Sequence, residues 1–381
     1  MTSNIFKAAV FGLVFCVAGT VQAEIFGISS NYNNVFFGDY YGRNGDIEGH
    51  AAIQGNVDVQ SYGFGAGQQN LHPSSMGPTL VVGGNVKASG AGVYDGDAYV
   101  QGTMTPQDGQ TKWNTLNTHG TGPYNTIDPN YQGTQGWVYV NGTQDADLHP
   151  THQKHTDDAI PFDFDVAKQQ LQKVSADLSS LNNTISAVQD ANNANNWVID
   201  LTQSTGLQVV TMAAETLNAI ASSNGCLLVN AGADTTLVLN VTGNGELNFK
   251  GGAIIINGRQ ADELFASNLN GLGDFDGSNI LINAADITSV NLTNAEVNAS
   301  VIALNADFNV QHGHFSGQVF GASAHTEAGG EFHAFYLFDD QHIGTSTPSG
   351  NATPEPATLA IFGLGLAGLG FSQFRRKVRV A

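Results

Sequence analysis

Short β-prone fragments, several of them followed by glycine, recur along both halves of the chain, and they constrain its fold more than any other feature. They occur at 34–40, 45–57, 80–86, 96–102, 226–230, 236–241, 247–249, 253–256, 280–283 and 300–304. A brief strand buries every second side chain, and glycine permits a sharp corner after it. Because the fragments have no fixed period, the sequence predicts a mainly β chain folded as an irregular, interrupted β-solenoid (β-helix) with rungs of varying length.

A single apolar pattern with helical spacing separates the two β-rich stretches. Its positions are spaced three and four apart in strict alternation: Phe164, Ala167, Leu171, Val174, Leu178, Leu181, Ile185 and Val188. Asp163 and Asp165 favour a helix start, and residues 192–196 favour its end. The pattern predicts one long α-helix over about 163–190. We expect it to dock alongside the solenoid, with a coiled coil to a second copy as the alternative.

The chain is acidic yet poor in charge. It has 33 acidic and 13 basic residues, and charged residues make up only 12%, about half the usual share of roughly 25%. An acidic surface repels phosphate backbones, so nucleic acid is excluded as a partner. A surface whose polarity comes from Asn, Gln, Ser, Thr and Gly suits a hydrated polysaccharide matrix.

The N-terminal segment has the order of features found in secretory signals. Lys7 precedes an apolar run over 8–18, and Val21-Gln22-Ala23 supplies small residues at a cleavage site. Residues 1–23 are therefore predicted to be a helical signal peptide that passes the secretion translocon and is cut after Ala23 by signal peptidase. Cys16 leaves with it. The remaining Cys226 cannot form an internal disulfide and is predicted to be a buried small hydrophobic residue.

The C-terminal segment combines a short motif, an apolar run and a basic end. Pro354-Glu355-Pro356 is followed by apolar residues 359–371 and then by Arg375, Arg376 and Lys377. The run is shorter than the ~20 residues of a usual span, but it predicts a short transmembrane helix. The basic cluster acts as the membrane stop. Residues 344–353, rich in Ser, Thr, Gly and Pro, are predicted to be a flexible linker.

Residues 354–381 resemble the PEP-CTERM sorting signal. The resemblance implies processing by an exosortase and transient anchoring in the inner membrane of a Gram-negative-type bacterium that makes an exopolysaccharide. The mature protein would then reside at the cell surface or in the extracellular matrix. Whether it stays anchored or is released is left open.

The body of the chain, residues 24–343, resembles the choice-of-anchor A family. The resemblance rests on 34–55, on the helix entry at 161–165, on 300–307 and on 313–318. Members commonly have proline where this chain has Leu304. The resemblance implies one surface-displayed domain and identifies no ligand.

Histidines and carboxylates supply weak candidates for metal binding. His149, His152 and His155 precede Asp157 and Asp158, and ligands at such spacing can gather zinc or a similar ion. A solvated loop is the favoured interpretation, and a divalent cation is left open. His312, Gly313 and His314 would place both rings on one strand face. Asp-x-Asp pairs at 95–97 and 274–276 lack the distal Glu of an EF-hand.

No nucleophile elbow, phosphate loop or dinucleotide fingerprint occurs. The sequence therefore predicts no enzyme, no catalytic residue and no cofactor. The leading hypothesis is an exported surface or matrix protein associated with exopolysaccharide, biofilm or adhesion. The first alternative is a specific surface binder, such as an ice- or glycan-binding solenoid, which a flat Thr-rich face would support. The second is a secreted polysaccharide hydrolase, which two carboxylates facing each other across a cleft would support.

Overall fold

Parallel strands stacked in three columns make up most of what the computed structural model describes. The described residues are 25–65, 77–93, 97–106, 116–118, 138–140, 153–155, 159–251, 254–259, 275–340 and 342–343, all within one compact unit, Ile25–Gly344. The helices are α1 (Phe164–Ser179) and α2 (Ala214–Ser222), with 3-10 turns at Gly27–Ser29 and Gly277–Asn279. The strands are β1 (Asn34–Phe36), β2 (Tyr40–Ile47), β3 (Ala51–Ile53), β4 (Val57–Phe64), β5 (Leu80–Val82), β6 (Val86–Ser89), β7 (Ala91–Val93), β8 (Ala98–Val100), β9 (Met104–Pro106), β10 (Leu116–Thr118), β11 (Val138–Val140), β12 (Gln153–His155), β13 (Val188–Gln189), β14 (Trp197–Leu201), β15 (Gly206–Ala213), β16 (Leu227–Ala231), β17 (Thr235–Thr242), β18 (Gly245–Gly251), β19 (Ile254–Ile256), β20 (Ile280–Asn283), β21 (Ile287–Val297), β22 (Ser300–Phe315) and β23 (Val319–Phe332).

Each column is a ladder of parallel strands. The first column runs through β15, β17, β20, β22, β23, β1, β3, β5, β8, β11 and β12. The second runs through β18, β21, β22, β23, β2, β4, β6 and β9. The third uses the ends of β21, β22, β23, β2 and β4, followed by β7 and β10. A second parallel sheet contains β14, β16 and β19, and β13 joins it in antiparallel orientation. Because β22 and β23 each pass through all three columns, the fold is a three-sided solenoid, and the prediction of a mainly β solenoid is confirmed.

The two halves of the chain meet at a seam inside the solenoid. The seam is the pairing of β1 and β2 with β23, the last of the described strands. Residues 34–155 add strands on one side of it, and residues 188–332 build toward it from the other side. α1 connects the two sets: Phe162, just before it, packs on Tyr32 near β1, and Leu178 near its end meets Asn240 of β17.

Glycine forms the tight corner between the first and second columns on the N-terminal side of the seam. Gly38, Gly55, Gly84 and Gly102 stack there, each N–H donating to the carbonyl of the preceding one at 3.0 Å. A Cβ on Gly84 would lie 2.5 Å from the Gly55 oxygen, so only glycine fits. The following residue completes the turn, since Asn56 Oδ1 accepts from Asn85 N–H at 2.9 Å. The glycines that follow the N-terminal β-prone fragments of the sequence therefore form this corner.

The corner between the second and third columns uses left-handed backbone instead. One residue per rung has a φ of about +50° to +70°. Strand pairing continues on both sides of it, with Arg43 opposite Gln60 and Gly45 opposite Tyr62. The residues of this left-handed corner are Gly251, Asn294, His312, Ala328, Asn44, Ser61 and Gly90.

The first column is buried on both faces where α1 covers its outer side. There, β20 is buried at every position and β17 at every position but its last, as expected for parallel strands packed between two layers. The central residues of successive strands share an apolar cluster with Phe164, Ala167, Leu171 and Leu178 of α1; they are Val209, Val238, Leu281, Ile302, Phe320 and Val35. A helix of 16 residues is ~24 Å long and spans about five strand spacings. The predicted docking of the helix is confirmed.

The predicted extent of that helix, about 163–190, was wrong at its C-terminal end. α1 ends at Ser179, where Asn240 Nδ2 donates to the Leu178 carbonyl at 2.8 Å. Strand side chains thus satisfy the end of the helix. Beyond it, Thr184 N–H donates to Val209 O at 2.9 Å, so the chain follows β15. Val188 continues the apolar spacing yet is 57% exposed in β13.

The expectation of a single helix in the body was wrong. A second helix, α2, follows β15 and packs beside β18, where Asn218 Nδ2 donates to Glu246 O at 3.0 Å. It is too short to give a long periodic pattern.

The prediction that Cys226 is buried was also wrong. Cys226 is only half-buried, because Leu227 and Val229 take the inward positions of β16. Among the described residues, no helix is long and apolar enough to cross a membrane. The predicted signal helix (1–23), linker (344–353) and transmembrane helix lie outside them.

Candidate functional site

The outer face of the second column carries a row of aligned polar side chains, one per strand. We call these residues the polar row: Asn248, Asn291, Asn309, His325, Tyr41, Asp58 and Lys87. Their strands alternate buried apolar and outward polar positions, as Val57, Asp58 and Val59 illustrate. Successive strands lie ~4.8 Å apart, so the row presents polar groups at that spacing.

The asparagines of the polar row bind one another. Asn309 Nδ2 donates to Asn291 Oδ1 at 2.9 Å, and Asn291 Nδ2 donates to Asn248 Oδ1 at 3.0 Å. Asn218 of α2 continues the ladder, because its Oδ1 accepts from the Asn248 N–H at 2.7 Å. A side-chain amide has two donors and an acceptor with two lone pairs. The ladder therefore fixes each amide in place without using its full hydrogen-bonding capacity.

The other part of the polar row combines aromatic and cationic groups. The rings of Tyr41 and His325 lie 4.4 Å apart, and the Arg43 guanidinium lies 3.8 Å from the centre of the Tyr41 ring. Arg43 Nη2 also donates to Asp58 Oδ1 at 2.7 Å, while Lys87 Nζ lies 3.9 Å from Asp58 Oδ2. A cation over a ring and an ion pair both restrain Arg43. This face is thus rigid and carries positive groups on an acidic protein.

A second cluster lies at the seam, on the outer face of the third column. We call it the seam cluster: Asp46, Glu48, Glu296, His314, Glu331 and His333. Pairing places Glu296 opposite His314 and His314 opposite Glu331. On the next strand, Asp46 takes the position beside Glu331, because the residues that follow them, Ile47 and Phe332, pair with each other. Four titratable side chains therefore occupy adjacent strands, and like charges directly opposite each other repel.

Hydrogen bonds tie the cluster to the segment after β23. His333 Nε2 lies 3.1 Å from Glu331 Oε2, and Glu48 Oε2 accepts from the Ala334 N–H at 3.1 Å. The imidazole rings of His314 and His333 stack with their centres 3.9 Å apart. Phe335 packs 4.7 Å from the His333 ring, which keeps water from that side.

Burial and neighbouring carboxylates shift the protonation of Asp46. Its pKa is raised to about 7, chiefly by desolvation and then by the charges of Glu331 and Glu48. Among the described residues, its Oδ1 is buried without a hydrogen-bond partner, which adds to the cost of a negative charge there.

The two stacked histidines respond in opposite directions. The pKa of His314 is lowered to about 3, first by burial and then by the nearby His333. The pKa of His333 is raised, because its hydrogen bond to Glu331 and the charges of Glu48, Glu331 and Asp46 outweigh its burial. Two imidazoles in van der Waals contact cannot easily both be charged, so His333 holds the proton.

An open recess of about 560 Å³ adjoins the seam cluster at the left-handed corner. Its lining includes Asn294, Glu296, His312, His314 and Gly329. The lining is polar and glycine-rich, and two of its side chains, Glu296 and His314, belong to the seam cluster.

The residues that the sequence singled out are scattered. His149 and His152 lie outside the described residues, as do Ala23, Pro354, Glu355, Pro356, Arg375, Arg376 and Lys377; of His155 only the strand β12 is described. The described residues contain no group of three or more His, Cys, Asp or Glu arranged to hold a metal ion. Asp276 instead caps a 3-10 turn, with its Oδ1 accepting from Ser278 N–H at 2.7 Å.

The expectation that His312 and His314 share one strand face was wrong. His312 adopts φ +52° at the left-handed corner, so the chain turns between the two residues and His314 belongs to the third column. The structure brings His314 together with His333 and places His325 on the second column. Asp46, Glu48 and Glu331 were missed, although the alternation of Asp46 and Glu48 around buried Ile47 was a readable signal for one outward face.

Several solved structures resemble this chain at low sequence identity. An ice-binding protein from an Antarctic biological consortium is 12% identical, with 87% of this chain and 96% of that one covered and a TM-score of 0.34. One from the ascomycete Antarctomyces psychrotrophicus is 13% identical, with 82% and 98% covered and a TM-score of 0.32. The ice-binding protein 1 domain from Shewanella frigidimarina is 13% identical, with 80% and 96% covered and a TM-score of 0.33. Likenesses this weak say nothing about what the chain binds.

Family models match both the body and the tail of the chain, whereas no curated protein matches it. The PEP-CTERM protein-sorting motif covers residues 352–377 and includes Pro354, Glu355 and Pro356, which confirms the predicted sorting signal. A model for an ice-binding-like adhesive domain covers residues 25–334, a range that contains the strands of all three columns. The chain belongs to the ice-binding-like adhesive domain family.

Proposed function

We propose that this chain is an exported adhesive protein of the cell surface whose polar row binds an uncharged polysaccharide of the extracellular matrix. Adhesion follows from the family of residues 25–334, and export and surface sorting follow from the motif at 352–377. The observation that carries the choice of face is the hydrogen-bonded alignment of Asn248, Asn291 and Asn309 on a rigid sheet.

The chemistry of the polar row suits sugar hydroxyl groups. Its amides donate and accept, and Asp58 and Lys87 extend the set of acceptors and donors along the same line. Because neighbouring strands hold these groups in place, little conformational entropy is lost when a ligand binds. The strongly acidic chain disfavours an anionic polymer.

The sorting step completes the proposal. After cleavage at Ala23, the tail would hold the chain in the inner membrane until an exosortase acts at Pro354-Glu355-Pro356. Arg375, Arg376 and Lys377 would remain on the cytoplasmic side until then. The mature chain would then join the exopolysaccharide matrix, or biofilm, of a Gram-negative-type host. Membership of the choice-of-anchor A family stays a prediction that fits this route.

Ice binding and hydrolysis remain the alternatives, and neither has a specific observation in its favour. A flat Thr-rich face would support ice binding, but the polar row contains no threonine from Asn248 to Lys87, and Thr105 of β9 takes only the next register position after Lys87. Asp46 and Glu331 are neighbouring carboxylates, yet they occupy adjacent strands of one face rather than opposite sides of a cleft. No catalytic role is proposed for them.

The proposal is tested by co-sedimentation of the mature chain with exopolysaccharide extracted from the host. The variant Asn291→Ala/Asn309→Ala removes two amides from the centre of the polar row. Because it deletes several hydrogen bonds of about 1 kcal/mol each, we expect binding to weaken at least roughly tenfold.

The matched control is Gln172→Ala, which removes an exposed amide from the outer side of α1. We expect it to bind as the unmodified chain does. Equal binding by the double variant would remove the polar row from the account while leaving surface adhesion intact. Thermal hysteresis without polysaccharide binding would favour the ice-binding alternative.

A further inference from the structure

The seam cluster lies where the two separately built halves of the solenoid are joined. Asp46 and Glu48 come from the N-terminal half, whereas Glu296, His314, Glu331 and His333 come from the C-terminal half. The direct links across the join include Glu48 N–H to Phe332 O at 2.9 Å and Ala334 N–H to Glu48 Oε2 at 3.1 Å. Asn33 Nδ2 adds a bond to His333 O at 3.2 Å. Charge changes in this cluster therefore act directly on the contact between the halves.

The environment of Asp46 is one-sided in charge. Glu331 lies beside it on β23, and Glu48 follows it two residues later in the sequence; among the described charges that act on Asp46, the positive one is that of protonated His333. On its other side, β4 presents Gly63 and the Tyr62 hydroxyl, which donates to the Asp46 carbonyl at 3.0 Å. Beyond Glu331 in the third column, the next strands carry His314 and then Glu296. Among the described charges that act on the Asp46 carboxyl, that of His333 is the one that favours the ionised form.

We propose that the seam cluster is a proton-controlled latch that holds the two halves of the solenoid together when Asp46 and His333 are protonated and loosens their junction when both protons leave. In the protonated state, Asp46 is neutral and His333 balances one carboxylate. In the deprotonated state, Asp46 and Glu331 are both negative at neighbouring positions of adjacent strands, and His333 no longer carries the positive charge that offsets them. The latch thus responds to the pH of the medium around an exported protein.

The direction of the pH effect follows from which state binds protons more tightly. The folded-state pKa of Asp46 is raised from 3.8 to about 7, so its contribution to stability is complete below pH ~4 and is lost as the pH rises to 7. His333 has a raised pKa as well, and its contribution is lost as the pH rises above 6.5. His314 acts oppositely, because its lowered pKa costs stability as the pH falls from 6.5 to about 3. Above pH 6.5 the contribution of His314 no longer changes, so stability falls with rising pH through Asp46 and His333 alone.

The test follows thermal unfolding of the mature chain between pH 6 and pH 9. We expect its midpoint to fall by several degrees across this range, and to fall much less in Asp46→Asn, which keeps the shape but cannot ionise. Asp234→Asn, an exposed residue away from the seam, should show the full fall. An equal fall in Asp46→Asn and in the unmodified chain would overturn the latch.

A second measurement needs no variant. Amide hydrogen exchange, corrected for its intrinsic pH dependence, should accelerate at Glu48 and Ala334 between pH 6 and pH 9. The amide of Val238 in the first column should keep its protection. Uniform behaviour of these amides would contradict the proposal, as would a His333 ring that titrates at or below pH 6.5 by NMR.

Discussion

At the scale of single residues, buried asparagine side chains join strands to α1 through hydrogen bonds. Asn283 is the last residue of β20, is almost fully buried, and contacts the C-terminal part of α1. Its Oδ1 accepts from Ser175 Oγ at 2.6 Å, and its Nδ2 donates to the Ser175 carbonyl at 2.9 Å and to Asn240 Oδ1 at 2.9 Å. Buried polar groups are stable only when such partners are present. The pair Asn240 and Asn283 thus fixes where the helix ends.

Replacing Asn283 with alanine should therefore be costly. Asn283→Ala leaves Ser175 Oγ and Asn240 Oδ1 buried without these partners, and we expect the free energy of unfolding to fall by about 3 kcal/mol. Urea denaturation measures the change. Asn305→Ala removes an exposed asparagine with one bond to a backbone carbonyl and should change stability by less than ~0.5 kcal/mol. Similar small effects for both variants would show that the buried network does not anchor α1.

These residue-level roles were hidden in the sequence. Asn291 and Asn309 are 18 positions apart, and nothing local tells that they are neighbours, because rung length varies along the chain. The corner glycine of the N-terminal rungs was visible, since Gly55 and Gly84 follow short apolar fragments. Backbone geometry leaves a local signal, whereas contacts between rungs depend on a register that the sequence does not reveal.

At the scale of elements, the left-handed corner is what lets one long strand serve two columns. β22 turns at His312 and β21 at Asn294, each with φ near +50°. Asparagine tolerates this backbone better than most residues, and β-branched residues tolerate it poorly. The corner therefore places a demand on backbone conformation that is independent of side-chain packing.

A valine at this corner tests that demand. Asn294→Val should lower the free energy of unfolding by about 1–2 kcal/mol, because its Cβ substituents clash in left-handed backbone. Thr293→Val places a valine at the preceding residue of β21, whose backbone is not left-handed, and should cost under ~0.5 kcal/mol. Denaturant titration compares the two variants. Equal costs would place the effect in lost polar contacts rather than in the backbone.

The apolar spacing of the sequence predicted the position of α1 correctly and its C-terminal end wrongly. The spacing of Phe164, Ala167 and Leu171 predicted a docked helix, and the structure confirms it. The same spacing continued through Leu181 and Ile185, where pairing of the chain with β15 and the asparagine contacts ended the helix. Tertiary contacts override a local pattern in this way because isolated helix propensity is weak.

At the scale of the whole molecule, the order of building is the feature that no local signal announces. The sequence predicted rungs before and after the helix, but not that the last described strand, β23, pairs with the first, β1. That closure creates the seam and gathers Asp46 and Glu331 from opposite ends of the body. The tail carried a far clearer signal, since Pro354, Glu355 and Pro356 with the basic end form a contiguous motif.

The claim that this is a sorted surface adhesive protein is tested most directly by fractionating the native host with and without its exosortase. The protein is followed by mass spectrometry, and its mature C-terminus is mapped in each fraction. With the exosortase, we expect a chain that has lost the tail after Pro356 and resides at the cell surface or in the matrix. Without it, we expect the intact tail in the inner membrane. An intact tail in the inner membrane of both strains would contradict the account.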